Sequence, residues 1–227
     1  MSLKRPTEVV TVEPLSLRIT EVFTSLQGEA LTSGLPTTFL RLTGCPLRCA
    51  YCDSSYAFQG GTQRSIDELL KQVQSIGVLR VCVTGGEPLA QPNCLPLLGV
   101  LCDAGFEVSL ETSGAMDITG VDNRVSIVLD LKTPGSGESS KNLLSNLALI
   151  RSKDQIKVVV TSEGDFRWFE LFCDEHPAVF DAGVVWISPS YGEIDLQQLA
   201  SLILSSKYPY RMQLQLHKQI WGEESGR

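Results

Sequence analysis

The sequence predicts an α/β protein folded as an open, partial (β/α) barrel of about six or seven mainly parallel strands. Short apolar runs rich in β-branched residues alternate with amphipathic segments, an order typical of a parallel sheet with crossover helices. Polar motifs follow these runs repeatedly, as they do at the carboxyl ends of barrel strands. The chain has 227 residues, fewer than the roughly 250 of a closed eight-stranded barrel. We therefore expect the barrel to be open.

The elements follow from local patterns. Apolar runs predict strands at residues 17–24, 37–43, 80–84, 106–110, 126–131, 155–160, 183–187 and 211–216. Helical periodicity predicts helices at residues 65–76, 92–104, 141–150, 165–176 and 195–207. Two of these helix starts carry the spacing of a capping box, Ser65 with Glu68 and Asp195 with Gln198.

The composition indicates one soluble domain over residues 16–227, preceded by a flexible tail over residues 1–15. Hydrophobic residues make up 43% of the chain, which is enough for a sizeable core. The net charge of −7 offers no basic surface for nucleic acid, and no apolar run is long enough to cross a membrane. No signal peptide is evident. We expect a cytoplasmic protein that contacts neither nucleic acid nor membrane.

The chemistry is concentrated in residues 44–54, which we call the cluster loop. It holds Cys45, Cys49 and Cys52 in a C-x3-C-x2-C arrangement. Thiolates ligate iron–sulfur clusters, and three of them leave one iron of a 4Fe–4S cluster open to another ligand. Structural zinc fits less well, because it needs four ligands and no fourth Cys or His lies close in sequence. The other four cysteines lie in apolar contexts, which indicates buried thiols.

Further polar residues lie where predicted strands end. The sequence QGE at 27–29 follows the first strand, GGEP at 85–88 the third and ETSG at 111–114 the fourth. Adjacent glycines let a ligand approach the backbone closely. Arg41 lies inside the second strand, where a buried guanidinium needs either an internal carboxylate or an anionic ligand. The sequence leaves both partners open.

In order and spacing, these motifs resemble those of the radical S-adenosylmethionine enzymes. With CDS at 52–54 and QLHK at 215–218, they resemble the 7-carboxy-7-deazaguanine synthases over about residues 20–221. The resemblance implies a 4Fe–4S cluster that reduces S-adenosylmethionine. It implies conversion of 6-carboxy-5,6,7,8-tetrahydropterin to 7-carboxy-7-deazaguanine with release of ammonia, on the path to queuosine. A flavodoxin-type electron donor and a homodimer are also implied.

The resemblance implies roles for individual residues. Cys45, Cys49 and Cys52 hold the cluster. The S-adenosylmethionine contacts are Tyr51, Cys52, Asp53, Gly86, Glu111, Ser113, Asp130, Leu131, Lys132, Ser188, Pro189, Ser190 and Tyr191. The pterin contacts are Leu26, Gln27, Gly28, Glu29, Arg41, Thr84 and His217. We expect Gln27, Glu29 and His217 on the same rim of the barrel as the cluster loop.

Two features depart from relatives. Ser54 stands where relatives usually have a Thr that ligates magnesium, and a Ser hydroxyl is an equally hard oxygen ligand. We therefore expect Mg²⁺ at Ser54. The chain also continues to Arg227, beyond the point near Glu223 where some relatives end and place their terminal carboxylate near the substrate.

Two other functions use the same cluster loop. A radical activase that abstracts hydrogen from a glycyl residue of a partner protein would share the cluster loop and GGEP at 85–88. It would not need Gln27, Glu29 and His217 to face inward. A non-enzymatic iron–sulfur carrier would need no cofactor pocket and would leave GGEP unexplained.

Overall fold

The structure, a computed structural model, describes residues 14–222, 224 and 226. The strands are Ser16–Leu26 (β1), Pro36–Leu42 (β2), Thr62–Ser65 (β3), Arg80–Gly85 (β4), Glu107–Thr112 (β5), Ser126–Asp130 (β6), Gln155–Val160 (β7), Val184–Pro189 (β8) and Arg211–Met212 (β9). The helices are Ile66–Ile76 (α1), Cys94–Asp103 (α2), Glu163–Glu175 (α3), Leu196–Ser205 (α4) and Leu216–Trp221 (α5). The tail predicted over residues 1–15 lies outside the described residues, apart from residues 14 and 15.

The nine strands of the described residues belong to one sheet, in the order β3-β1-β2-β4-β5-β6-β7-β8-β9. Strands β2 and β4 to β9 run parallel, which confirms the predicted open α/β architecture. Strand β1 instead pairs antiparallel with β2, and Leu26 at its end lies opposite Pro36 at the start of β2. The chain therefore leaves β1 at the edge where the parallel strands begin. We call this edge the floor of the barrel, and the edge where those strands end the rim.

Alternation along the strands separates apolar from polar side chains. On one face, residues such as Leu40, Val83 and Leu110 pack with α1 and α2 into one hydrophobic cluster. Leu129 and Val158 pack with α3 and α4 into a second cluster on that face. The face of the sheet that packs against the helices is thus buried in two hydrophobic cores. No helix in the described residues is long and apolar enough to cross a membrane.

The opposite face carries the polar positions that alternate with this core. Five polar residues occupy it on the adjacent strands β2, β4, β5, β6 and β7, namely Arg41, Thr84, Glu111, Asp130 and Lys157. Arg41 is in register with Thr84, and Asp130 is in register with Lys157. A row of polar side chains therefore crosses the inside of the barrel.

The helix predicted over residues 141–150 is wrong; short 3-10 turns replace it. Asn142 uses its side-chain amide to bond both the N–H and the carbonyl of Lys132. The amide of Asn146 donates to the carbonyl of Gly114. These bonds to distant backbone groups compete with a regular helix.

The last strand, predicted over residues 211–216, is only two residues long. After it the Gln213 N–H still bonds the carbonyl of Ile187, but the Gln213 side chain accepts from the N–H of Ala30 on the floor. The chain then turns into α5. His217 therefore lies on a helix and does not directly follow a strand.

Candidate functional site

A cavity of about 540 Å³ lies on the polar face of the sheet and extends from rim to floor. That volume is in the range of small-molecule sites. Of the residues assigned from the sequence, Leu131 does not line the cavity, because its side chain is buried in the core. The structure brings the others together around it: Leu26, Gln27, Gly28, Glu29, Arg41, Cys45, Cys49, Tyr51, Cys52, Asp53, Ser54, Thr84, Gly86, Glu111, Ser113, Asp130, Lys132, Ser188, Pro189, Ser190, Tyr191 and His217.

The cluster loop places three free, half-buried thiols on the cavity. The N–H of Leu47 bonds the Cys45 Sγ at 3.4 Å, and the N–H of Cys52 bonds the carbonyl of Cys49 at 3.2 Å. Arg48 donates to the Cys45 carbonyl. Burial raises the pKa of the Cys45 and Cys49 thiols. Three free thiols from one short loop that line the same cavity match the residue types that hold an iron–sulfur cluster.

The GGEP segment at 85–88 lies against this loop. Gly85 has a φ of +149°, and a Cβ there would collide with the backbone of Leu42. At Gly86 a Cβ would collide with Gly44 and with the Cys45 side chain. The two glycines therefore let the GGEP backbone pack directly against Leu42 and the cluster loop.

Glu87 has a role that the sequence reasoning missed. Its carboxylate is fully buried and accepts from the N–H of Leu89 at 3.0 Å, the Thr112 hydroxyl at 3.0 Å and the N–H of Ser113 at 2.7 Å. These bonds tie the GGEP segment to the end of β5. Ser113 is thereby held at the cavity.

Gln27 and Glu29 enter the cavity from the floor, so the predicted position on the rim is wrong. The reason is the antiparallel direction of β1, which delivers the following loop to the opposite edge. The side chains nevertheless reach the same space. The Gln27 amide donates to Glu111 Oε1 at 3.2 Å, and the Thr84 hydroxyl donates to Glu111 Oε2 at 3.1 Å. Glu111 is therefore bonded from both floor and rim.

The segment 27–35 between β1 and β2, which we call the floor loop, donates backbone hydrogen bonds to two glutamine side chains. Ala30 has a φ of +64°, in the left-handed region, and its N–H bonds the Gln213 side chain. The N–H of Leu31 bonds Gln155 Oε1 at 2.9 Å, and the indole N–H of Trp186 bonds the same oxygen at 2.8 Å. Two buried glutamines thus bond successive N–H groups of the floor loop.

Helix α5 connects the floor loop with the cluster loop. The N–H of Leu216 bonds the Gly28 carbonyl, and the His217 imidazole occupies the space that a side chain at Gly28 would need. Burial lowers the pKa of His217, which favours the neutral imidazole. Lys218 Nζ lies 3.2 Å from Asp53 Oδ2. Burial alone would raise the pKa of Asp53, but Lys218 and other neighbouring donors lower it.

Arg41 has an internal partner. Its Nε lies 2.6 Å from Glu21 Oε1, and its guanidinium carbon lies 5.7 Å from the ring centroids of both Phe23 and Tyr56. The Tyr56 hydroxyl also donates to Glu21 at 2.8 Å. The internal carboxylate left open by the sequence is therefore present. Contact of Arg41 with an anionic ligand stays a prediction.

Lys157 also has an unpredicted role, although it stands inside an apolar strand just as Arg41 does. Its Nζ lies 2.9 Å from Glu29 Oε2 and 3.3 Å from Asp130 Oδ2. Lys132 Nζ lies 3.1 Å from the same Asp130 oxygen. The other oxygens, Glu29 Oε1 and Asp130 Oδ1, and the hydroxyl of Tyr51 are buried without a hydrogen-bond partner among the described residues. Such polar atoms fit a ligand that supplies N–H or O–H groups.

Curated relatives that cover most of the chain are named 7-carboxy-7-deazaguanine synthase. The Radical SAM superfamily model matches residues 40–132. A 7-carboxy-7-deazaguanine synthase from Chlorobaculum tepidum is 39% identical over 212 residues, which cover 92% of this chain and 96% of that protein. The synthase from Methanospirillum hungatei is 45% identical over 206 residues, covering 90% of this chain and 85% of that protein.

Solved structures share the fold. The crystal structure of QueE from Escherichia coli has a TM-score of 0.73 at 23% identity and covers 89% of this chain and 95% of its own. SuiB from Streptococcus suis, solved bound to S-adenosylmethionine, has a TM-score of 0.54 at 18% identity and covers 76% of this chain and 48% of its own. At these identities the two structures support the partial-barrel fold alone. By its full-length relatives, the chain belongs to the 7-carboxy-7-deazaguanine synthase family of the Radical SAM superfamily.

Proposed function

We propose that this protein is a radical S-adenosylmethionine lyase that converts 6-carboxy-5,6,7,8-tetrahydropterin to 7-carboxy-7-deazaguanine with release of ammonia, in queuosine and 7-deazapurine biosynthesis. One observation carries the proposal. A single cavity joins three free thiols at the rim to a polar floor formed by Gln27 and Glu29. The thiols suit a radical-generating cluster, and the floor suits a small heterocycle with several hydrogen-bonding groups.

At the rim, Cys45, Cys49 and Cys52 would hold the 4Fe–4S cluster. When bound, the cluster supplies the electron that cleaves S-adenosylmethionine. Gly86 lines the cavity beside the cluster loop, and Asp130 has a buried oxygen without a hydrogen-bond partner among the described residues. The remaining cofactor contacts that we propose are Tyr51, Asp53, Glu111, Ser113, Leu131, Lys132 and residues 188–191. For Leu131, the contact would have to come from its backbone, because its side chain is in the core.

At the floor, polar side chains recognise the pterin by hydrogen bonding. The Gln27 amide both donates and accepts, and Glu29 Oε1 is a buried acceptor without a partner in the described residues. His217 is held neutral, so its imidazole can either donate or accept. The guanidinium of Arg41 suits the pterin carboxylate. The protein thereby orients the reacting carbon toward the cofactor and keeps it in a buried site.

A magnesium ion at Ser54 is part of the proposal. Ser54 lines the cavity, and its hydroxyl lies 3.9 Å from Cys52 Sγ. A hydroxyl oxygen is a suitable hard ligand. We expect Mg²⁺ to raise the rate of the chelated wild-type enzyme and to have little effect on Ser54→Ala. A wild-type rate that does not respond to Mg²⁺ would contradict this assignment.

The buried floor argues against the two alternatives. A glycyl radical activase acts on a polypeptide segment and would not need buried charged groups at the floor of the cavity. An iron–sulfur carrier would not need buried carboxylate oxygens that lack donors. As parts of the same proposal, we expect a flavodoxin-type electron donor, a homodimer and a cytoplasmic location.

The test is an anaerobic assay of the reconstituted protein with S-adenosylmethionine, a chemical reductant and the carboxypterin, read by mass spectrometry and by ammonia release. We expect 7-carboxy-7-deazaguanine and ammonia in equal amounts. The triple Cys→Ala variant of the cluster loop is the control and should lack both the cluster and the product. Cleavage of S-adenosylmethionine without a deazaguanine product would show that the substrate is a different molecule.

A further inference from the structure

Lys157 stands at the junction of the two halves of the cavity. It lies on β7 and faces the cavity, and its side chain is only 12% exposed. Its ammonium bonds Glu29, which comes from the floor loop, and Asp130, which ends β6 at the rim. These two carboxylates are 101 positions apart in the chain, yet they share a single cation.

The carboxylates of Glu29 and Asp130 have the same pattern of contacts. Each gives one oxygen to Lys157 and leaves the other buried without a partner among the described residues. A buried anionic oxygen without a donor is costly, so these oxygens are suited to donors from bound ligands. Given the proposed function, on which this inference rests, Glu29 faces the pterin and Asp130 faces S-adenosylmethionine.

The ammonium also controls the repulsion between the two carboxylates. Both lie within reach of one Nζ, so they are close neighbours in a buried site. Asp130 has a second cation, Lys132, whereas Lys157 is the ion-pair partner of Glu29 in the described part of the chain. Without Lys157, each carboxylate would lose the bond that sets its direction, and their like charges would repel.

We propose that Lys157 is a positioning residue that holds the pterin-binding Glu29 and the cofactor-binding Asp130 at once, so that both affinities depend on one ammonium group. It touches neither ligand in this role. It acts by keeping the open oxygen of each carboxylate directed into the cavity.

The test measures two affinities separately, on protein with its cluster reconstituted. S-adenosylmethionine is titrated without substrate, and the carboxypterin is titrated without reductant, by calorimetry. For Lys157→Met we expect at least a tenfold weakening of both, with iron content unchanged. Lys157→Gln keeps an N–H donor without the charge, so its losses should be smaller.

Three further variants give the comparison. Lys207→Met removes a lysine that pairs with Asp174 on the outer surface, and it should change neither affinity. Glu29→Gln should lower the affinity for the carboxypterin alone, and Lys132→Met should lower the affinity for S-adenosylmethionine alone. Only a change at Lys157 is expected to affect both.

If Lys157→Met does not fold, the double variant Glu29→Gln/Lys157→Met removes both charges of the pair. The proposal then requires weaker S-adenosylmethionine binding in the double variant than in Glu29→Gln. Equal affinities would overturn it, and so would a loss confined to one ligand in Lys157→Met or Lys157→Gln. Wild-type protein that does not bind the carboxypterin would refute the proposed function instead.

Discussion

His217 shows how one residue is tuned by its surroundings. The imidazole is packed against the backbone of Gly28, and burial lowers its pKa below the ordinary value of 6.5. Glu29 and Asp53 favour protonation, but they do not outweigh the cost of burying the charge. The neutral ring is therefore the form that the folded protein presents to a ligand.

This shift predicts a pH dependence of stability. Because the pKa of His217 is lower in the folded protein, the unfolded chain binds more protons once the pH falls below about 6.5. The free energy of unfolding should therefore fall on acidification from pH 7.5 to pH 5.5, and it should fall less in His217→Gln. Urea denaturation of both proteins measures the difference. Parallel pH curves for the two proteins would contradict the neutral assignment.

A second prediction concerns Glu87. Glutamine in its place would turn amide hydrogens toward the donors of Thr112 and Ser113, which now bond the carboxylate. We expect Glu87→Gln to lower the free energy of unfolding by about 2–4 kcal/mol, measured by chemical denaturation.

The matched control for Glu87 is Glu107→Gln. This carboxylate is 55% exposed and pairs with Arg80 at the surface, so the loss should be below about 1 kcal/mol. Similar losses at the two positions would show that the buried hydrogen bonds of Glu87 contribute no more stability than the surface ion pair of Glu107.

At the scale of the element, short-range signals predicted well and long-range ones did not. The Ser65 capping box is present at the start of α1, and Asp195 accepts from the N–H of Gln198 at the start of α4. These bonds span three residues, so the sequence displays them. The antiparallel pairing of β1 and the contact of α5 with the floor loop join residues that are far apart in the sequence, so local patterns did not display them. Lys157 was missed although the reasoning applied to Arg41 would have found it.

The floor loop yields a prediction at this scale. Gln213→Leu removes the acceptor of the Ala30 N–H, which is then buried without a partner. We expect a loss of about 1–3 kcal/mol in the free energy of unfolding. We also expect weaker carboxypterin binding, because the loop carries Gln27 and Glu29. Affinity for S-adenosylmethionine should fall less, because Gln213 reaches the cofactor side only through one bond of 3.3 Å from its amide to the hydroxyl of Ser188.

Gln219→Leu is the control for Gln213, since Gln219 is exposed on α5. It should leave stability and carboxypterin binding nearly unchanged. If Gln213→Leu lowers the affinity for S-adenosylmethionine as much as that for the carboxypterin, the floor loop does not act mainly on substrate binding.

At the scale of the molecule, the helix side of the sheet supplies stability and the open side supplies the site. Leu89 and Val121 pack against both hydrophobic clusters and connect them. The polar row on the other face contributes little apolar burial. Stability and ligand binding should therefore respond to different substitutions.

Phe169→Ala tests this separation. Phe169 is fully buried on α3, so its truncation should cost about 3–5 kcal/mol by chemical denaturation. The folded fraction should bind S-adenosylmethionine with wild-type affinity. Leu204→Ala, at a side chain that is 87% exposed, should change stability by less than about 0.5 kcal/mol. Lost affinity in folded Phe169→Ala would show that the two faces are coupled.

The antiparallel first strand has a consequence for how such proteins diverge. It places the floor in the first hairpin and the last helix, while the rim comes from loops in between. A lineage can therefore acquire a new substrate by changing the two ends of its chain and keep the radical-generating centre intact. Lys157 limits that freedom, because a new floor that lacks a carboxylate at position 29 leaves its ammonium with Asp130 alone.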